Sequence, residues 1–193
     1  MSSTWNGYRS AVVHLTDVPA TESPTRRSPV VAGVVLGLGL GGFIDGIVLH
    51  QILQWHHLLT DTPSSSDFPN ASVSTLEENT FWDGMFHGLT WVLVAAGLLL
   101  LWRSMSAGAR ISAPELVGLM LVGWGIFNLV EGVIDHHILT LHHVRDDVAE
   151  PLPWDLGFLA LGAVLIAVGL IVRTRERAGR RQVVDDTAVS APG

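Results

Sequence analysis

The sequence predicts an all-α integral membrane protein, a four-helix bundle built from a tandem duplicated helix pair. Three observations predict it: four apolar blocks separated by polar segments, a biased placement of arginine, and a gapless internal repeat. Of the 193 residues, 48% are hydrophobic and 15% charged, and the mean hydropathy is +0.40. Because the apolar residues collect in blocks instead of alternating, the length accommodates four short membrane spans and leaves no room for several domains.

Residues 1–28 lack the basic start, compact apolar run and small-residue cleavage site of a signal peptide, so they are expected to form a disordered cytoplasmic tail. The membrane domain is expected over 29–172. Its first span, 30–54, carries Gly33, Gly37 and Gly41 at four-residue spacing, a ridge of small residues against which another helix can lie closely. Residues 61–79 are polar, rich in Ser and Pro, and read as a loop. The second span, 81–102, leads into a linker with Arg103, Gly108 and Arg110. The third, 114–141, opens on Pro114, a residue suited to the first turn of a helix. After the polar stretch 142–153 the fourth span covers 154–172. About 20 residues at a rise of about 1.5 Å cross the roughly 30 Å of hydrocarbon. The Arg-rich segment 173–193 is expected to be a second disordered cytoplasmic tail.

All 11 basic residues are Arg, and every one except Arg145 lies in a tail or in the middle linker. The positive-inside rule then puts both termini in the cytoplasm. The net charge of −7 and the absence of a basic stripe exclude nucleic acid as a partner. The lipid bilayer is the expected environment. With no Cys, disulfides, iron–sulfur clusters and thiolate metal sites are excluded, so a metal here needs nitrogen and oxygen ligands.

The string from Asp45 to His57 aligns without gaps on that from Glu131 to His143, as acid-Gly-x-x-x-His-x-Ile-Leu-x-x-His-His. Trp82-Asp83 recurs as Trp154-Asp155 at the start of the following span. Eight of the nine histidines therefore gather toward one side of the bilayer, with only His14 apart. Carboxylates and imidazoles at membrane depth are costly unless paired, hydrated or metal-bound. Metal coordination is the reading adopted, with His50, His87, His136 and Glu131 as the direct ligands. Asp83, Asp135, His57, His137 and His143 are further ligands or bridges, and Asp45 a supporting group or part of a proton path. Asp83, Glu131 and Asp135 are the expected catalytic carboxylates. His56 and His142 are read with His57 and His143 as part of a turn folded over the bundle, and Asp155 as a carboxylate at a helix N-terminus. On a straight α-helix Asp45 falls on a different azimuth from His50 and His57. The plainer alternative for all these groups is an interhelical hydrogen-bond network that only holds the bundle together.

Carboxylate bridges favour iron and a His-dominated site favours copper, with zinc as the third choice. A b-type haem between His50 and His136 is a further alternative. The expected function is a membrane metalloprotein with a mono- or dinuclear His/Asp/Glu centre near the outer face, acting as an oxidoreductase on a small or lipid-like substrate and drawing on an external electron donor. Alternatives are metal-ion or proton transport, metal delivery, zinc-dependent hydrolysis, or a structural accessory role, and a homo-oligomer is compatible with each. The strings F-x-D-G-x-x-x-H-Q near Phe43, W-D-G-x-F-H at Trp82 and E-G-x-x-D-H-H-x-L-x-x-H-H-V-R at Glu131 together resemble a bacterial family of small predicted membrane proteins known as a domain of unknown function. The resemblance covers about residues 30–172; it implies a prokaryotic inner-membrane protein and brings no activity with it.

Overall fold

A computed structural model describes residues 29–59 and 73–189. The tail expected over 1–28 and most of the loop expected over 61–79 lie outside the described residues. Helix α1, Pro29–Asp45, passes without a break into a π-helical segment, π1, Gly46–Leu53. Helix α2 is Val73–Ser106. Helix α3, Ala113–Glu131, likewise passes into π2, Gly132–Ile138, and α4 is Leu152–Val189. Among the described residues, four stretches are long and apolar enough to cross a membrane, Pro29–Leu53, Leu76–Ser106, Ala113–Ile138 and Leu152–Val183.

Two helices run further than the apolar pattern implies. The start of α2 precedes Phe81 because the sequence around Leu76, Glu77 and Glu78 favours helix, and the Thr80 hydroxyl donates back to the Leu76 carbonyl at 2.7 Å. The segment after Val172, expected to be disordered, continues α4. Arg, Ala, Glu and Gln are strong helix formers, and Glu115 at the start of α3 anchors this extension by accepting from Arg177 Nε at 2.9 Å. Arg180 also approaches Glu115, at 3.6 Å. That end of α3 is capped by Ser112, whose hydroxyl accepts from the Glu115 amide at 3.3 Å, with Pro114 in the first turn.

The helices pack in the order α2, α1, α3, α4, so α1 and α3 form the central pair. Successive contacts climb both helices together: Gly33 meets Leu119, Gly37 meets Met120, and Gly41 meets Trp124, so α1 and α3 are parallel. At the tightest point a side chain on Gly37 would collide with the Met120 carbonyl, and one on Gly123 with the Val34 carbonyl. The crossing therefore brings backbone against backbone, which glycine permits in a membrane. The outer helices are antiparallel to the inner ones. Gly39 and Gly42 of α1 lie against Val94 and Thr90 of α2, while Gly125 of α3 lies against Gly162 of α4. Large apolar side chains such as Leu98, Leu99, Val164 and Ile171 point outward, as a lipid-facing surface requires, while Asp, Glu, His and Asn dominate the buried interior near the π segments.

Candidate metal centre

The site starts from the winding of π1 and π2. An α-helix separates residues five apart by about 140° of azimuth, whereas π winding pairs residue i with i+5. Asp45 and His50 are five apart, as are Glu131 and His136. The π turn brings His50 Nε2 to 3.3 Å from Asp45 Oδ2. A non-glycine residue in the left-handed region follows each segment, Gln54 at φ 51° directly after π1 and Thr140 at φ 47° two residues after π2. This reversal folds the following histidines back over the helix ends. The Trp55 amide donates to the Leu49 carbonyl at 3.0 Å, and in the other half Leu141 donates to Asp135 at 2.9 Å.

Two sets of three buried side chains result. Asp45, His50 and His56 each offer a ligand atom within 4.8 Å of the others, and so do Glu131, His136 and His142. The sets adjoin: the His56 and His142 rings stack at 4.5 Å with 5° between their planes, and Asp45 lies beside Glu131. His56 Nδ1 donates to the Val144 carbonyl at 2.9 Å, and His142 Nδ1 donates to the Leu58 carbonyl at 3.2 Å. A carbonyl can only accept, so both rings carry their proton on Nδ1 and leave the Nε2 lone pair bare. Among the described residues, Nε2 of His56, His136 and His142 and both oxygens of Glu131 are buried without a hydrogen-bond partner, while Nε2 of His50 has only the approach of Asp45 Oδ2 at 3.3 Å. Burial, reinforced by neighbouring imidazoles, holds His142 at about 4 and His56 well below the usual histidine range, so both stay neutral.

A carboxylate from each outer helix braces each set. Asp83 of α2 accepts from His57 Nδ1 at 2.6 Å and from the Leu58 amide at 3.0 Å, and its Oδ1 lies 3.2 Å from His50 Nδ1. Asp155 of α4 matches it, accepting from His143 Nδ1 at 2.7 Å and from the Val144 amide at 2.9 Å, with His136 Nδ1 at 3.5 Å. Asp155 therefore acts on side chains and loop backbone of the other elements, more than on its own helix terminus.

Of the residues singled out in the sequence, Asp45, His50, Glu131 and His136 fall within the two sets. Asp83, His57 and His143 form the braces beside them. His87 stands outside: its Nδ1 donates to the Asp83 carbonyl of its own helix at 2.7 Å, and its ring lies edge-on to Phe43 at 6.2 Å. His137 is exposed, and its counterpart Gln51 reaches Asp83 at 3.4 Å. Asp135 is half-buried next to Glu131 without joining a set. His56, His142 and Asp155, which the sequence reading left out of the ligand set, complete the arrangement. The recurrence of the His pairs and of Trp-Asp carried that signal.

A family model described as predicted membrane protein, DUF2243, matches residues 32–176, and the chain belongs to that family. No curated protein and no solved structure gives a significant match to it.

Proposed function

We propose that this member of the DUF2243 membrane family is a metalloprotein with a dinuclear centre, one ion held by Asp45, His50 and His56 and the other by Glu131, His136 and His142. The observation that carries this reading is the convergence of four buried Nε2 atoms, of which only that of His50 approaches a carboxylate, and two adjacent carboxyl groups in a buried site at one end of the spans. Unpaired, such groups cost several kcal/mol apiece, by about the amounts found for buried polar groups. Two cations offset both the desolvation and the mutual repulsion of Asp45 and Glu131. Asp83 and Asp155 then serve as the carboxylates that orient ligand imidazoles and raise their basicity.

Two imidazoles and one carboxylate per ion is the donor pattern of non-haem iron sites with open positions, which places iron ahead of copper and zinc. Iron in such a setting supplies oxygen-activating redox chemistry, and the role that fits is an oxidoreductase drawing on an external electron donor. The chain's own residues fix ligand orientation and keep the site dry. Haem fits less well, since the His56–His142 stack stands between His50 and His136. Transport fits less well because the cytoplasmic side of the site is closed by the backbone crossing at Gly37 and Gly123. The arginine bias orients the centre toward the outer face of a prokaryotic inner membrane, with both termini cytoplasmic.

Element-resolved metal analysis of the full chain, purified in mild detergent without a His tag from iron-replete cells, tests the reading. Two ions per chain are expected. Protein that stays metal-free through iron-, copper- and zinc-replete expression rejects it in favour of a hydrogen-bonded structural network.

A further inference from the structure

A cavity of about 300 Å³ opens beside the proposed centre, between α1 and α4 and floored by α3. Its walls are apolar, including Val48, Trp124 and Phe158, and its rim residues Ile44, Trp154 and Leu161 are exposed on the lipid-facing surface. Two lining residues break this character. Asp45 belongs to the first ligand set, and Asn128 is buried with its Oδ1 unpartnered among the described residues. Phe158 also lies 5.5 Å from the His136 ring, so the cavity meets the first set directly and is separated from the second by that side chain.

The rest of the molecule's two-sided pattern makes the cavity specific. The counterpart of Asn128 on the other flank is Gly42, where an added side chain would meet Thr90 and the ring of Phe127, which in turn packs on Phe86 at 6.1 Å. A polar residue has no packing advantage over glycine or leucine in an apolar wall. An unpartnered amide costs stability, so its presence points to something that meets it.

We propose that this cavity binds an apolar molecule drawn sideways from the bilayer that carries a hydroxyl group, seated with the hydroxyl between Asn128 and Asp45. The assignment rests on the metal-centre reading for its purpose, since it delivers the hydroxyl end of the ligand to a ligand carboxylate, but the cavity itself does not depend on a metal. At about 30 Å³ per water-sized unit the volume takes roughly ten heavy atoms, which fits one substituted ring or the end of one chain and excludes a two-chain lipid. A hydroxyl both donates and accepts, so it satisfies Asn128 in either orientation of the amide. Membrane quinols and long-chain alcohols share this chemistry.

Equilibrium binding of radiolabelled duroquinol, 1-decanol and n-decane to the full chain in nanodiscs, corrected with empty discs, tests the site and separates the two sources. Saturable binding of duroquinol or of decanol at one site per chain is expected, with decane at least about tenfold weaker, the worth of one buried hydrogen bond at the high end. The arm that saturates at lower concentration names the source. Asn128→Leu should erase the preference over decane, and Leu161→Trp or Ile44→Trp, on two different helices, should block all three probes while the circular dichroism is retained. Decane binding as tightly as the hydroxylated probes, or undiminished binding in both tryptophan variants, overturns the proposal. The measurement is repeated on chelator-treated protein with metal content determined separately. Loss of the centre and loss of the cavity's ligand then register as different results.

Discussion

At the scale of single residues, the two imidazoles that matter most lie outside the membrane spans. His56 and His142 stack on each other, donate through Nδ1 to a carbonyl of the opposite loop, and aim Nε2 inward. A histidine that donates through one nitrogen to a fixed backbone carbonyl is oriented as a ligand through the other. His87, by contrast, spends its Nδ1 on its own helix. Replacing His56 or His142 by Ala is expected to bring bound metal below one ion per chain, while His87→Ala keeps two. Metal analysis of the three variants, with membrane insertion verified for each, decides the matter. Equal loss in His87→Ala would move the ligand set toward α2. From sequence, His87 attracts attention because it sits four residues from Asp83 on a helix face, yet that spacing supports an internal hydrogen bond as readily as a ligand pair.

At the scale of elements, π1 and π2 convert a five-residue spacing into a contact. Deleting Val48 is expected to return π1 to α winding and to rotate His56, His57 and Leu58 away from Val144 and Asp83. Such a protein should still insert, its metal content should fall well below that of the parent, and solid-state or solution NMR of labelled histidines should show the loss of the Nδ1 hydrogen bond at His56. The central crossing makes a second prediction. Gly37→Leu drives a side chain into the Met120 carbonyl and should destabilise the bundle by about 1–3 kcal/mol or more, as overpacking does. Gly88→Ala, with nothing within 4 Å of the added carbon, should leave the thermal midpoint in detergent within error of the parent. The spans and the repeat were legible from hydropathy and the spaced Gly and His residues. The site was legible only in part, because azimuths taken from 3.6 residues per turn separate Asp45 from His50. The helical continuation past Val172 was hidden for a different reason: an Arg-rich segment reads as solvated until its partner Glu115, far away in sequence, is placed beside it.

At the scale of the whole molecule, polarity is divided between the two ends. One end of the bundle holds the histidines and carboxylates, and the other holds Glu115 with Arg177 and Arg180. The arginine bias predicts that the second end is cytoplasmic. In a chain without native Cys, single cysteines at Asp147 and Gly108 provide the test. A membrane-impermeant maleimide added to intact cells should label position 147 and spare 108 until the membrane is broken. Labelling in the opposite sense would put the centre in the cytoplasm and change which electron donors and substrates it meets. The packing order α2, α1, α3, α4 also leaves the flank between α1 and α4 free to open to lipid, where Trp55 and Trp154 hold the Arg145 guanidinium at 5.2 and 4.9 Å from their ring centres.

The exchange of hydrogen bonds between the loops has a consequence for how the centre fills. His56 is aimed by Val144, and His142 by Leu58, so each half's ligand is set by the backbone of the other half. In the proposed centre an ion captured by Asp45, His50 and His56 would draw Val144 and its loop into place, and that loop carries His142 of the second set and His143, which braces it through Asp155. In the proposed dinuclear centre, order imposed by the first ion would not have to be imposed again for the second, so their uptake is expected to be positively cooperative. Titrating chelator-treated protein with ferrous ion under anaerobic conditions should therefore pass from empty to doubly loaded with little singly loaded protein between, visible by native mass spectrometry. A statistical mixture dominated by one-ion species at half saturation would show that the two halves load independently.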